Sequence, residues 1–243
     1  MDHIETDEYL IRLLDRDNEE ELREVQRLRY KFLLQKFDER KNDRDGLDDD
    51  GWDAFSDSIL AIEKKTGRIV GTYRVATEKT LRGRPYKSEE EFDISSLKAD
   101  PDGVIEASRA VVHPEHQNGG IIGLLWRGVI SYAGDRQLRY IFGTCSLHGT
   151  DPGAHIMCTS VLNRQYRSDK HDVRATHNAF AYGTEQVQTM SRAGVPGLLR
   201  AYLMIGARVS QDGFIDYEFN CCDVMIILDR LNINERFFNR FLC

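Results

Sequence analysis

The order of apolar patterns along this chain predicts an α/β (α+β) protein, a mixed central sheet flanked by helices. Three observations carry that expectation. Runs with a helical period alternate with β-branched, strand-like runs. Two β-rich runs meet at Lys65-Thr66-Gly67, a hairpin signal. Asp223–Leu228 is almost wholly apolar, as a strand buried on both faces should be.

Taken in order, residues 1–18 are polar and charged and predict a loose N-terminal arm with one short ordered piece. Glu19 to about Gln35 predicts an amphipathic helix, with Leu22, Val25, Leu28 or Arg29, Phe32 and Leu33 on one side. Residues 38–53 hold Asp38, Glu39, Asp43, Asp45, Asp48, Asp49, Asp50 and Asp53 with glycines at 46 and 51, an acidic loop. The hairpin follows as Ser58–Lys64 and Gly67–Thr77, then a polar connection over 78–103 with an apolar piece at Phe92–Leu97. Val104–Val112 predicts a strand, Gly119 to about Gly134 a helix, and Arg139–Ser146 another strand. Asp151-Pro152 supplies an N-cap and a first-turn proline for a helix reaching about Tyr166. Val173–Tyr182 reads as extended, Pro196–Ile205 as a short helix stopped by Gly206, and about Asn232 to Phe241 as a last helix. No internal repeat or long linker divides the chain, so 19–243 is expected as one domain.

Composition narrows function. The chain has 243 residues, 41% hydrophobic and 30% charged, with net charge −7, which disfavours nucleic acid as a partner. No stretch nears the roughly 18 apolar residues of a membrane span and no signal peptide opens the chain, so a cytoplasmic location is expected, with any bilayer contact peripheral. Five cysteines, two of them adjacent at 221 and 222, fit buried thiols better than disulfides or a zinc knuckle.

The chemistry concentrates in Glu106-Ala107-Ser108-Arg109, followed by Gln117-Asn118-Gly119-Gly120. A carboxylate and a guanidinium three apart on a strand, with a glycine turn and a helix N-terminus behind, suit gripping a phosphate-bearing acyl donor and presenting it to an amine. Glu106 is a candidate base for that amine, or else a strand-end salt-bridge partner of Arg109 or Arg74. Arg109 and Arg74 read as forks for a carboxylate or phosphate, or as surface charge. Asp48 and Asp53 read as binders of a cationic acceptor, or as part of a solvated charge run. Arg164, Arg167, Lys170 and Arg174 would suit docking of an acidic partner, or are scattered surface charge. Phe142, Trp126, Leu147, Met157, Leu162 and Leu199 would line an acyl tunnel or fill the core. His113 and His116 do not read as metal ligands, because Pro114 interrupts a helix face and no third ligand is expected close by; no metal is expected. No serine sits in a Gly-x-Ser-x-Gly elbow.

The region Glu106–Gly123 resembles the GNAT superfamily of acyltransferases. Within it the chain is similar to the long-chain N-acyltransferases that act on ornithine and related amino acids, through Arg29-Tyr30-Lys31-Phe32, Asp48 to Asp53, Val70-Gly71-Thr72-Tyr73-Arg74, Glu106-Ala107-Ser108-Arg109, Leu124-Leu125-Trp126-Arg127-Gly128, Gly149-Thr150-Asp151-Pro152, Pro196-Gly197-Leu198-Leu199-Arg200 and Asp216 to Asp223. It also looks like the acyl-homoserine-lactone synthases and N-acyl-amino-acid synthases. The resemblance implies a GNAT acyl-CoA N-acyltransferase fold and an acyl transfer from acyl carrier protein to an amino-acid amine, with ornithine the leading acceptor and an aminolipid the product. It implies catalytic roles for Glu106 and Arg109, substrate binding by Arg29, Phe32, Asp48, Asp53, Arg74 and Ser108, and donor-phosphate binding by Gln117, Gly119, Gly120 and Gly123. No permanently bound cofactor is expected, only acyl-phosphopantetheine as co-substrate. The loop departs from the superfamily pattern at Ile122, with Gly123 one place late. A bulky side chain there crowds a coenzyme A pyrophosphate more than a carrier protein's single phosphodiester, which favours the carrier protein. The alternatives are a homoserine-lactone synthase with an S-adenosylmethionine site, an acetyl-coenzyme A acetyltransferase, and a non-catalytic relative that binds acyl chains or a partner.

Overall fold

A computed structural model describes residues 3–35, 45–117, 120–187 and 194–234. Along the chain come β1 (Ile4–Glu5), β2 (Tyr9–Leu13), α1 (Glu19–Arg29), β3 (Asp57–Glu63), β4 (Ile69–Ala76), α2 (Glu78–Leu81), β5 (Phe92–Asp93), α3 (Ser95–Lys98), β6 (Val104–Val112), α4 (Ile121–Asp135), β7 (Tyr140–His148), α5 (Ile156–Gln165), β8 (Arg174–Ala175), β9 (Ala179–Phe180), α6 (Gly197–Ile205), β10 (Arg208–Val209), β11 (Gly213–Asp216) and β12 (Cys221–Asp229). Two compact units emerge, one from the described residues within 1–86 and 105–138, the other from those within 87–104 and 139–237.

In the first unit, β1, β2, β3, β4 and β6 pair in that order, all antiparallel. The expected loose arm instead supplies β1 and β2. Tyr9 and Ile11 alternate inward and are buried, and β2 pairs with β3 from Tyr9↔Glu63 to Leu13↔Ile59. The other face carries Leu10, which packs on the apolar cluster beside α1, and Arg12. Asn18 caps α1 by accepting the Glu21 N–H at 3.1 Å, and Glu19, Glu20 and Glu21 complement the helix dipole. The helix continues as a π-helical stretch, Tyr30–Leu34. Its apolar side packs Val25 and Leu28 on Leu60, Ile62, Ile69 and Val111, with Phe32 and Leu33 at the margin.

The opposite face of this sheet carries α4. Gly71 is needed there, because a Cβ would sit 3.1 Å from Ile121, 3.2 Å from Leu125 and 3.2 Å from the Val111 carbonyl. Tyr73 meets Trp126 edge-on at 5.6 Å, and the Tyr132 hydroxyl donates to Asp57 at 2.6 Å. Helices therefore flank this sheet on both faces, as expected.

In the second unit, β7, β12, β11 and β9 pair antiparallel, with β10 also on β12, and β5 pairs with β8. β12 is central and buried from Cys221 to Leu228, as its composition predicts. Asp151 caps a 3-10 turn over Pro152–His155 that leads into α5, and Gly206, at φ 113, ends α6. Cys145, Cys158, Cys221 and Cys222 are buried thiols. Most of the expected last helix, Cys243, and the acidic residues Asp38, Glu39 and Asp43 lie outside the described residues.

One buried group in the first unit is out of place. The Thr72 hydroxyl is fully buried in β4 and makes no hydrogen bond among the described residues. Thr72→Val keeps the shape and removes an unsatisfied polar group, so it should stabilise by about 1 kcal/mol and raise the thermal midpoint by roughly 2–4 °C. Differential scanning calorimetry checks this.

Candidate active site

The site is built on β4 and β6, adjacent strands of the first unit. Arg74 pairs with Ser108 and Thr72 with Val111, so the three residues from Thr72 to Arg74 oppose the four from Ser108 to Val111. The extra residue is a β-bulge, and Arg109 takes it with φ 54. A non-glycine side chain rarely adopts that conformation, which costs roughly 1–2 kcal/mol. The bulge has a definite result. Regular alternation would put Arg109 on the face opposite Glu106 and Ser108; here its guanidinium shares Asp50 with Arg74, which itself contacts Ser108.

Three guanidiniums meet three carboxylates there. Arg29, with 0% exposure, forks onto Asp53 at 2.8 and 2.6 Å, donates to the Asp48 carbonyl at 2.6 Å, and holds its Nε 2.9 Å from the Asp48 carboxylate. Arg74, 2% exposed, forks onto Asp50 at 2.6 and 2.8 Å, sits 3.5 Å from Asp53, and donates to Ser108 Oγ at 3.3 Å. Arg109 reaches Asp48 and Asp50, both at 3.0 Å. Gln26 adds a hydrogen bond to Asp53 at 3.0 Å.

At Asp48, Asp50 and Asp53 the acidic run is therefore not solvated, and Arg74 and Arg109 are not surface charges. Asp50, outside the set of site residues that the sequence singles out, links two of the arginines. Burial would raise the Asp50 carboxyl, but hydrogen bonds and charge from Arg74, with the charge of Arg109, hold it well below the usual carboxylate range. Asp53 is lowered likewise, its burial outweighed by Arg29. Burial opposes the Arg74 cation, yet Asp50, Asp53 and Glu106 raise its pKa further. Glu106 is 3% exposed and is thus a buried carboxylate whose charge Arg74 feels.

Behind β6 the chain forms a 3-10 turn, Pro114–His116, and then α4, whose N-cap is Gly120 at φ 69 with no side-chain cap. The first amides of a fifteen-residue helix so begun are donors for an anion. Gln117 is exposed, and Ile122 half-buried. Gly123 is buried and its N–H bonds the Gly120 carbonyl at 2.9 Å. Gly119 lies outside the described residues. Phe32 packs edge-on to His113 at 4.7 Å, at the margin of the apolar cluster under α1.

Elsewhere, Phe142, Trp126, Leu147, Leu162 and Leu199 are buried and Met157 is 40% exposed. The second unit's basic stretch is largely engaged: Arg167 with Gln211, Lys170 with Asp100 and Arg174 with Asp172. Pro114 does not isolate the two histidines. It starts the 3-10 turn, which brings Glu115 between His113 and His116 as a third potential ligand.

The carboxylates make the network sensitive to acid. Asp50 and Asp53 titrate below their ordinary value of 3.8, so the stability they lend is complete above that pH and is lost as pH falls through their folded values. Urea unfolding should show stability falling below about pH 4. Asp50→Asn should flatten that fall and cost about 3–5 kcal/mol at pH 7, because it leaves two guanidiniums under-compensated.

Comparison with known proteins follows the same lines. Residues 28–127 match the model of the acetyltransferase (GNAT) domain. The chain is 28% identical to an L-ornithine N(alpha)-acyltransferase of Agrobacterium fabrum, over 92% of this chain and 82% of that protein. It is 28% identical to the protein of that name from Brucella abortus, over 89% and 83%. Among solved structures it is similar to the CoA-dependent acyl-homoserine lactone synthases MesI, with a TM-score of 0.56 at 15% identity over 96% of this chain and 94% of that one, and BjaI, with 0.54 at 15% over 95% and 86%. No helix among the described residues is long and apolar enough to cross a membrane. The expected α/β class and GNAT fold, with helices flanking the central sheet, are borne out, and the chain is an acyltransferase whose residues 28–127 match a GNAT domain.

Proposed function

We propose that the chain transfers a long-chain fatty acyl group from acyl carrier protein to the α-amine of ornithine, the N-acylation step in making an aminolipid. The observation that carries this reading is a buried carboxylate, Glu106, set on a strand that leads to an uncapped helix N-terminus. The similarity to L-ornithine N(alpha)-acyltransferases over about nine-tenths of the chain supports the acceptor.

A free α-amine titrates near pH 8, so it arrives mostly as the unreactive ammonium. Glu106, directly or through one water, takes that proton. The neutral nitrogen attacks the thioester carbonyl, a C–N bond forms, the C–S bond breaks, and the pantetheine sulfur leaves with a proton. Backbone N–H groups past Arg109 stabilise the oxyanion that develops on the carbonyl. The amides at Gly120 and Ile121, with Gln117 beside them, hold the phosphodiester of the donor's tether. Ile122 favours that single phosphodiester over a pyrophosphate.

The arginines and aspartates work as a frame. Arg29, Asp53 and Arg74 fix the floor of the site, and Asp48 and Asp50 hold Arg109 where it meets the acceptor's carboxylate. Asp48 and Asp53 thus serve the acceptor through the arginines rather than by direct contact. The enzyme acts in the cytoplasm and meets the membrane peripherally, where its amphipathic product partitions.

The test is to incubate the purified protein with long-chain acyl carrier protein, the matching acyl-coenzyme A, acetyl-coenzyme A and a panel of amino acids, and to weigh the products. A fatty amide of ornithine, formed fastest from the carrier protein, is expected. Glu106→Gln should lower kcat by about 10²–10⁴ with an unchanged circular dichroism spectrum. Consumption of acetyl-coenzyme A with no fatty amide would overturn the reading, and full turnover by the Gln variant would remove Glu106 as the base.

A further inference from the structure

The three side chains His113, Glu115 and His116 form a cluster in which one ligand atom of each lies within 4.8 Å of the others. We propose that they bind a divalent transition-metal ion of the zinc class, with the fourth position open to water. Two imidazoles and a carboxylate are a donor set that zinc accepts. The inference is independent of the acyl-transfer reading, since no step of that reaction uses these residues.

The geometry is close to what the ion requires. His113 Nδ1 lies 3.7 Å from the Glu115 carboxylate, against roughly 3.4 Å between two ligands of a tetrahedral zinc with bonds of about 2.1 Å. Glu115 is exposed, with 72% of its side chain in solvent, so a small rotation closes that gap. Both rings are already held. His113 is 14% exposed and packs on the edge of Phe32, while His116 Nδ1 is 3.2 Å from the Tyr9 hydroxyl. That hydrogen bond occupies Nδ1 and leaves Nε2 to coordinate, the arrangement by which a neighbouring group orients a ligating histidine. The Glu115 backbone N–H, 3.3 Å from His113 Nδ1, is the contact the ion replaces.

A second cluster, Asp216, Cys221 and Asp223, is less suited to a metal: its thiol is fully buried and already donates to the Asp223 carboxylate at 3.3 Å.

The experiment uses the full chain without an affinity tag, stripped with a chelator. Zn²⁺ is titrated by calorimetry, and Co²⁺ is added as a probe whose visible absorption reports tetrahedral coordination. One equivalent of Zn²⁺ and a tetrahedral Co²⁺ spectrum are expected. His113→Ala and His116→Ala should each weaken binding at least tenfold, and Tyr9→Phe by about tenfold. Glu115→Ala changes only an exposed side chain, so it reports on binding without risk to the fold, and it should also weaken the site. Cys221→Ser should bind as the parent does. No uptake of Zn²⁺ at micromolar concentration, or unchanged affinity in the His113, His116 and Glu115 variants, would overturn the proposal.

Discussion

The exchange of charge between Arg29, Arg74, Arg109 and the aspartates at 48, 50 and 53 is the constraint on which the first unit depends. A guanidinium with no exposed surface, as at Arg29, is tolerable only if carboxylates are buried with it and its terminal nitrogens are aimed at them. The stretch from Asp48 to Asp53 must therefore lie over β4 and β6, with its aspartates in fixed places. The backbone joins in, since the Asp48 amide donates to the Gln26 carbonyl at 3.2 Å and the Trp52 amide to Asp50 at 3.1 Å. Packing alone would let such a loop wander. The arginine forks do not, because planar bidentate geometry fixes direction as well as distance.

Glu106 gains its character from this arrangement. Three positive and three negative side chains balance, and the glutamate is the next charge beyond them. Arg74 puts a positive charge within reach of it, and the glutamate in turn favours the Arg74 cation. The same frame that holds the fold thus sets the surroundings in which the proposed proton transfer takes place.

Much of the fold was legible because local chemistry announces it. The boundaries of β6 follow its β-branched run, Asp151-Pro152 marks a cap and a first turn, and the apolar stretch after Asp223 is a central strand. β1 and β2 were not legible, because the short apolar run over 9–14, broken by Arg12, sits in an otherwise charged stretch with the composition of a polar arm. The residue types of the candidate site were readable, but their mutual pairing was not: which aspartate meets which arginine depends on contacts between residues 19 to 61 positions apart. The bulge was hidden for a different reason. Glycine usually marks a left-handed residue in a strand, and here an arginine occupies that place. The approach of Glu115 to two histidines was missed because a proline that spoils an α-helix starts a 3-10 turn well.

The irregularity in β6 has one more implication. A strand reads its residues in two alternating phases, and the inserted residue at 109 resets the phase halfway along. Glu106 and Ser108 belong to one phase and Val111 to the other, yet all three serve the same side of the sheet, the first two beside Arg74 and the third in the cluster under α1. The polar and apolar halves of a single strand are thereby uncoupled. Sequence drift on one side of the reset leaves the orientation of the other intact, whereas loss of one residue between them would turn the valine out and expose the floor beneath the first helix.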